Sequence, residues 1–224
     1  MRVIILSAGR GERLRPLTDN TPKPLLKVGG KPLIFRHVGN LKKCGFADIV
    51  INVSYLGEQI KEALGDGADF GVRIAYSEES PVLETAGGIR QAMARGLLPE
   101  DAPFLVVNAD IICDVDFAAV TLPAAADCHL LLTENPPSNP SGDFSLNAEG
   151  VLCPPDTDSR TYTGIGVYHP RMFATLQAGE KAKLLPLLQT AIGQKTATGA
   201  IHPGLWRDVG TPESLAAANA LLSV

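Results

Sequence analysis

The 224-residue chain is 45% hydrophobic and 20% charged, a balance that suits one folded domain with a substantial core and excludes a disordered or fibrous protein. With 24 acidic against 20 basic side chains the formal charge is −4, so the bulk field draws in neither nucleic acid nor an anionic membrane surface, and an anionic ligand needs a local basic site. Cys44, Cys113, Cys128 and Cys153 show no CxxC and no Cys/His spacing for zinc or a disulfide framework, which fits reduced thiols in the cytoplasm. The apolar run Val3–Leu6 is too short for a signal-peptide core, and no stretch of about 18 apolar residues occurs, so neither export by that route nor a membrane span is expected.

Arg2–Ser7 carries a continuous β-branched run and predicts a strand buried on both faces. After a Gly/Pro-rich loop, Pro32 is placed for the first turn of a helix striped by Ile34, Val38 and Leu41 and ended by Gly45. Asp48–Ser54 predicts a strand, Leu56–Leu64 a helix, Val72–Ser77 a strand, Gly88–Leu98 a helix and Pro103–Asn108 a buried strand. This alternation predicts right-handed βαβ units in a doubly wound, mainly parallel sheet. Beyond it the rhythm is lost: a strand at His129–Thr133, a Pro/Asn loop at Asn135–Asp143, a hairpin over Phe144–Leu152, a strand at Thr161–Tyr168 and a helix at Leu184–Ile192. Thr211-Pro212-Glu213 supplies an N-cap, a first-turn proline and an acidic first turn for a last helix.

The loop after the first strand carries the chemistry. Its glycines can bring backbone N–H groups against phosphate oxygens, and Arg10, Arg13, Arg15 and Lys23 concentrate positive charge within fourteen residues, enough to surround a triphosphate. It is not a Walker A loop, because GxxxxGK[ST] is missing, nor a dinucleotide GxGxxG, because Leu14 stands at the third glycine position.

From Gly9 to Leu25 the string reads GxGxRLxPLTxxxPKPL, and it resembles the signature of the sugar-phosphate nucleotidyltransferases. The resemblance implies a Rossmann-like, GT-A-like fold of mixed, mainly parallel sheet. It implies one domain over 1–224, with a nucleotide half to about residue 112 and a sugar half from about 113. It implies transfer of a nucleotidyl group from a triphosphate to a sugar 1-phosphate, with pyrophosphate released. It places Ala8, Gly9, Gly11 and Glu12 around the nucleotide, Arg13 on the departing pyrophosphate and Lys23 on the α-phosphate. The acceptor's own phosphate oxygen is the nucleophile, so such a site needs alignment and charge neutralisation rather than a protein nucleophile.

Asp110, after the strand ending Val107-Asn108-Ala109, and Asp208, in Trp206-Arg207-Asp208-Val209-Gly210, resemble the family's metal-binding segments and are the expected Mg²⁺ ligands. Asp114 and Asp116 read instead as turn and helix-start carboxylates, and His37, His129, His169 and His202 form no ligand spacing. Leu83–Gly88 resembles the loop against base and ribose, with Thr85 and Gly87 at the nucleotide and a helix starting just after; Asn108 could bind ribose or sugar.

The sugar half departs from the commoner pattern, since Thr133-Glu134-Asn135-Pro136 stands where many relatives have Glu-Lys-Pro, whose lysine meets the sugar phosphate. What replaces it looks most like uridylyltransferases of bacterial cell-wall recycling, which implies UTP as donor, Asp143 on an amino sugar and Lys183 as a weaker candidate for the sugar phosphate. Asp143 is equally well read as an Asx-turn residue and Lys183 as a solvated residue at a helix start. Guanylyl transfer to mannose 1-phosphate, thymidylyl transfer to glucose 1-phosphate, and a silent nucleotide-sensing subunit stay open. So does the choice between a monomer and a small homo-oligomer. The chain ends soon after Asp208, so the left-handed β-helix of many relatives is not expected.

Overall fold

The computed structural model describes residues 1–222. In chain order the elements are β1 (Arg2–Leu6), β2 (Lys27–Val28), β3 (Lys31–Pro32), α1 (Leu33–Lys43), β4 (Asp48–Val53), α2 (Gly57–Leu64), β5 (Arg73–Glu78), α3 (Glu84–Ala94), β6 (Phe104–Asn108) and β7 (Ile111–Cys113). The second half adds β8 (Cys128–Thr133), β9 (Ser145–Leu146), β10 (Leu152–Cys153), β11 (Thr161–Tyr168), α4 (Leu185–Gly193), β12 (Ala197–Ile201), β13 (Trp206–Asp208) and α5 (Pro212–Leu222).

Seven strands form one twisted sheet in the order β12-β8-β11-β6-β1-β4-β5. β6, β1, β4 and β5 run parallel, β11 is antiparallel to β6 and β8, and β12 is parallel to β8. Alternate side chains of β1 divide between two cores, as a period of two requires. Val3 and Ile5 pack with the α1 and α2 stripes (Ile34, Val38, Leu41, Ile60, Leu64), while Ile4 packs with Ile89, Ala92 and Met93 of α3 and Leu188 of α4. The chain runs from β1 to β4 and β5 on one side and then crosses to β6 on the other. β1 and β6 therefore flank the switch point, where doubly wound sheets open a crevice at the carboxyl ends of their strands.

Three expectations are corrected. Pro32 lies in extended backbone just before α1, not in its first turn, because it pairs with Lys27 in the β2–β3 hairpin. The third helix runs Glu84–Ala94 rather than Gly88–Leu98, its start fixed by Glu79, whose Oε2 accepts from the Leu83 amide at 2.8 Å. The three-residue strands β7 and β13 were not anticipated.

Asp116 caps a 3-10 turn by accepting from the Ala118 amide at 3.0 Å, His169 caps another, His129 meets the Thr198 hydroxyl and His202 meets Asp114. His37 alone among the histidines is fully enclosed. Burial lowers its pKa from 6.5 to about 4, against the opposing pull of the Asp110 charge and the nearby backbone of Ile111 and Ala109. The unfolded chain thus binds the proton more readily. Stability is complete above about pH 6.5 and falls as the pH drops toward 4, by on the order of 3 kcal/mol in all. Denaturant titrations across that window, without added divalent metal, should show the slope, and His37→Gln should flatten it.

Candidate active site

The site grows from the carboxyl edge of the sheet, where Leu6 stands level with Asn52 of β4 and Asn108 of β6. Just beyond, the Ser7 amide donates to Asn52 Oδ1 at 2.6 Å and Asn52 Nδ2 donates to Glu79 Oε1 at 2.7 Å. Glu79 is buried, and burial raises its carboxyl pKa despite the bonds it accepts from the Leu83 amide and Asn52. The network ties the start of the glycine loop to the start of α3.

Within the loop Gly11 takes a left-handed φ of 64°, and its carbonyl accepts from the Thr18 hydroxyl at 2.8 Å. A Cβ there would stand 3.0 Å from Thr18 Cγ2 and 3.2 Å from Lys23 Cβ, so the backbone closes on Lys23 only because this residue is glycine. Leu14 is fully buried and anchors the loop. Pro22 and Pro24 flank Lys23 in a 3-10 turn that buries the lysine, leaving its Nζ 2.5 Å from Asp110 Oδ2.

Asp110 and Asp208 meet because β7 pairs antiparallel with β13: Asp208 is level with Ile111, and the Val209 amide donates to the Asp110 carbonyl at 2.8 Å. The Asp208 carboxyl is held above its ordinary pKa first by burial and then by the negative charge of Asp110, while Lys23 and Arg13 pull it down. At Gly210 a Cβ would lie 2.6 Å from Asp208 Oδ2 and 2.9 Å from Arg13 Nη2, so a bare backbone lets arginine and carboxylate crowd together.

Three connected cavities open here. The first, of about 220 Å³, is lined by Ala8, Gly9, Lys23, Thr85, Asn108 and Asp110 and floored by Asn52 and Glu79. The second, of about 520 Å³, is a cleft where four cations (Arg10, Arg13, Lys23 and Lys181) face three acids (Glu12, Glu84 and Asp110), with Gly9, Gly11 and Gly210 also at its border. The third, of about 750 Å³, holds Thr85, Asn108, Asp143 and Lys183 against an apolar wall that includes Pro154, Leu185, Leu188 and Ile192.

Nearly all the predicted residues therefore meet. Gly87 is the exception: its amide donates to the Ala182 carbonyl at 3.1 Å, and a Cβ would collide with the backbone oxygen of Glu180. Its smallness seats a neighbouring segment. Arg15 also stays outside, exposed and paired with Asp19 at 3.2 Å, and Lys181 supplies a cation instead. Asp143 engages both carboxylate oxygens within the protein, accepting from Asn139 Nδ2 of its own loop and from the Tyr162 amide of β11. Sequence reasoning missed Asn52, Glu79 and Lys181 and gave Glu84 no role of its own within its loop; Asn52 lies near the carboxyl end of one predicted strand and Glu79 just past another, a position that could have flagged them.

This fold and site define a nucleotidyltransferase, and the chain belongs to the nucleotidyl transferase family, which matches residues 2–223. It is 51% identical to the N-acetylmuramate alpha-1-phosphate uridylyltransferase of Neisseria meningitidis serogroup B, over 99% of this chain and 98% of that one. To a mannose-1-phosphate guanyltransferase of Schizosaccharomyces pombe it is 33% identical, over 95% of this chain but 62% of the relative. A Bacillus anthracis structure titled as a glucose-1-phosphate thymidylyltransferase superposes with a TM-score of 0.84 at 26% identity, covering 100% of this chain and 95% of that one. HddC from Yersinia pseudotuberculosis shares the fold, with a TM-score of 0.76 at 19% identity. The helices of the described residues are all too short or too polar to cross a membrane.

Proposed function

We propose that this chain transfers a uridylyl group from UTP to the phosphate of N-acetylmuramate α-1-phosphate, releasing pyrophosphate. The observation that carries transfer is the β7–β13 pairing, which sets Asp208 beside Asp110, Lys23 and Arg13 at the mouth of the glycine loop. The full-length likeness to the Neisseria enzyme supports the choice of donor and acceptor, and with it a place in bacterial cell-wall recycling. Four free thiols suit a reducing cytoplasm.

In this reading the first cavity takes the nucleoside, the second the triphosphate and the largest cavity the acceptor. An acceptor phosphate oxygen attacks the α-phosphorus, and the bond to the bridging oxygen of pyrophosphate breaks. Lys23, fixed between two prolines, places a point charge at the transferring phosphoryl, while the guanidinium fork of Arg13 neutralises the leaving group. Two carboxylates crowded together, one with its pKa raised by burial and by the other's charge, make a donor set that suits Mg²⁺. Bound by Asp110 and Asp208, the ion would neutralise phosphate charge.

The test is a pyrophosphate-release assay over four triphosphates and several sugar 1-phosphates, with and without Mg²⁺. The expected result is turnover with UTP and N-acetylmuramate 1-phosphate that chelation abolishes. Turnover confined to GTP with mannose 1-phosphate, or nucleotide binding without turnover on any acceptor, would overturn the proposal. Asp143→Ala is expected to raise the KM for the sugar phosphate severalfold with little change for UTP, because Asp143 borders the acceptor cavity and ties its loop to Tyr162. Initial rates with each substrate varied in turn check this.

A further inference from the structure

We infer that Glu84 is a specificity-determining residue that accepts a hydrogen bond from a ligand hydroxyl, that of the nucleotide's ribose. The inference rests on the proposed assignment of the three cavities. Glu84 is one of only three non-glycine residues with positive φ among the described residues, at 63°. A side chain in that conformation costs roughly 1–2 kcal/mol that glycine would not. The strain has little structural return among the described residues, since the one polar contact of the Glu84 side chain is a loose ion pair with Lys181. What the conformation does is set Glu84 where the three cavities join, for it lines each of them.

A carboxylate beside a triphosphate cleft needs a counter-charge, and Lys181 supplies one: its Nζ stands 3.8 Å from Glu84 Oε1. Lys181 is held there by the segment that follows it, because the Ala182 amide donates to the Leu83 carbonyl and the Ala182 carbonyl accepts from the Ala86 and Gly87 amides. With its charge balanced on the phosphate side, the carboxylate can only accept. Phosphates offer it no donor, whereas the ribose hydroxyls and the uracil N3–H do, and equal binding of the deoxy nucleotides would point to the base. Ribose links base to phosphates, so a residue bordering both the nucleoside cavity and the phosphate cleft stands beside it. The acceptor sugar also bears hydroxyls, and the experiment separates the two sources.

Wild type, Glu84→Gly and Lys181→Ala would be compared by calorimetric binding of UTP, 2′-deoxy-UTP and 3′-deoxy-UTP, alongside thermal denaturation. Wild type is expected to prefer UTP over at least one deoxy analogue by on the order of tenfold, as for a hydrogen bond to a charged group. Glu84→Gly is expected to reduce that preference to about twofold or less, with Tm unchanged or raised because the strain is relieved. Lys181→Ala should weaken all three nucleotides together and keep the preference. Equal binding of the three nucleotides by wild type, or full discrimination by Glu84→Gly, would overturn the inference. So would a preference lost only for deoxygenated acceptor sugars in the turnover assay, which would assign the hydroxyl to the acceptor. Binding is read without turnover, so a wild type that binds UTP yet transfers nothing would defeat the functional reading and leave this test intact.

Discussion

Lys23→Ala should slow pyrophosphate release by on the order of a hundredfold or more, with a smaller loss in UTP affinity. Its ammonium is buried beside Asp110, where water screens it little, so in the proposed site it acts on the transferring phosphoryl more strongly than an exposed lysine would. Asp110→Asn should produce a loss of similar size: it keeps the shape of the side chain but removes the anion that holds Lys23 and half of the proposed metal seat. Steady-state kinetics with saturating UTP, on variants shown to be folded by their Tm, would measure both. A near-normal kcat in either variant would remove that residue from the mechanism.

The second large effect is expected from a single methyl group. Gly87→Ala would push Cβ into the backbone oxygen of Glu180 and against the Ala182 amide, and neither is the far end of a flexible side chain that could swing away. Relief requires the 180–183 segment to lift from α3, breaking the bonds between Ala182 and the amides of Ala86 and Gly87. A cost of about 2 to 3 kcal/mol follows from overpacking. Because Lys181 and Lys183 ride on that segment, affinities for both substrates should fall together. Thermal denaturation and the two KM values check this; unchanged stability would mean that the segment is not seated on Gly87 in solution.

The parallel sheet was legible because β1, β4 and β6 are buried on both faces and therefore written as apolar runs, interrupted in β4 by Asn52, and β11 was placed to the residue. β7 and β13 were not, since three residues carry no periodicity and each is defined by a partner far along the chain. That pairing is nevertheless what joins Asp110 to Asp208, so the two proposed ligands could be named only through the family's motifs. Gly87 shows the opposite failure. A glycine in a nucleotide-like string suggests room for a ligand, while the space it leaves is filled by backbone. The left-handed turn at Glu84 and the docking of Lys181 depend on tertiary contacts that no local pattern encodes.

The β7–β13 ribbon also sets an order of events in the life of the molecule. It closes a loop of about a hundred residues, a connection whose entropic cost is met only after the intervening strands have found their places. On the ribosome the glycine loop, Lys23 and Asp110 emerge long before Asp208. A nascent chain can thus display its phosphate-binding loop while still lacking the second carboxylate. With both carboxylates needed, as proposed, transfer waits until synthesis has passed Asp208 and the ribbon has closed.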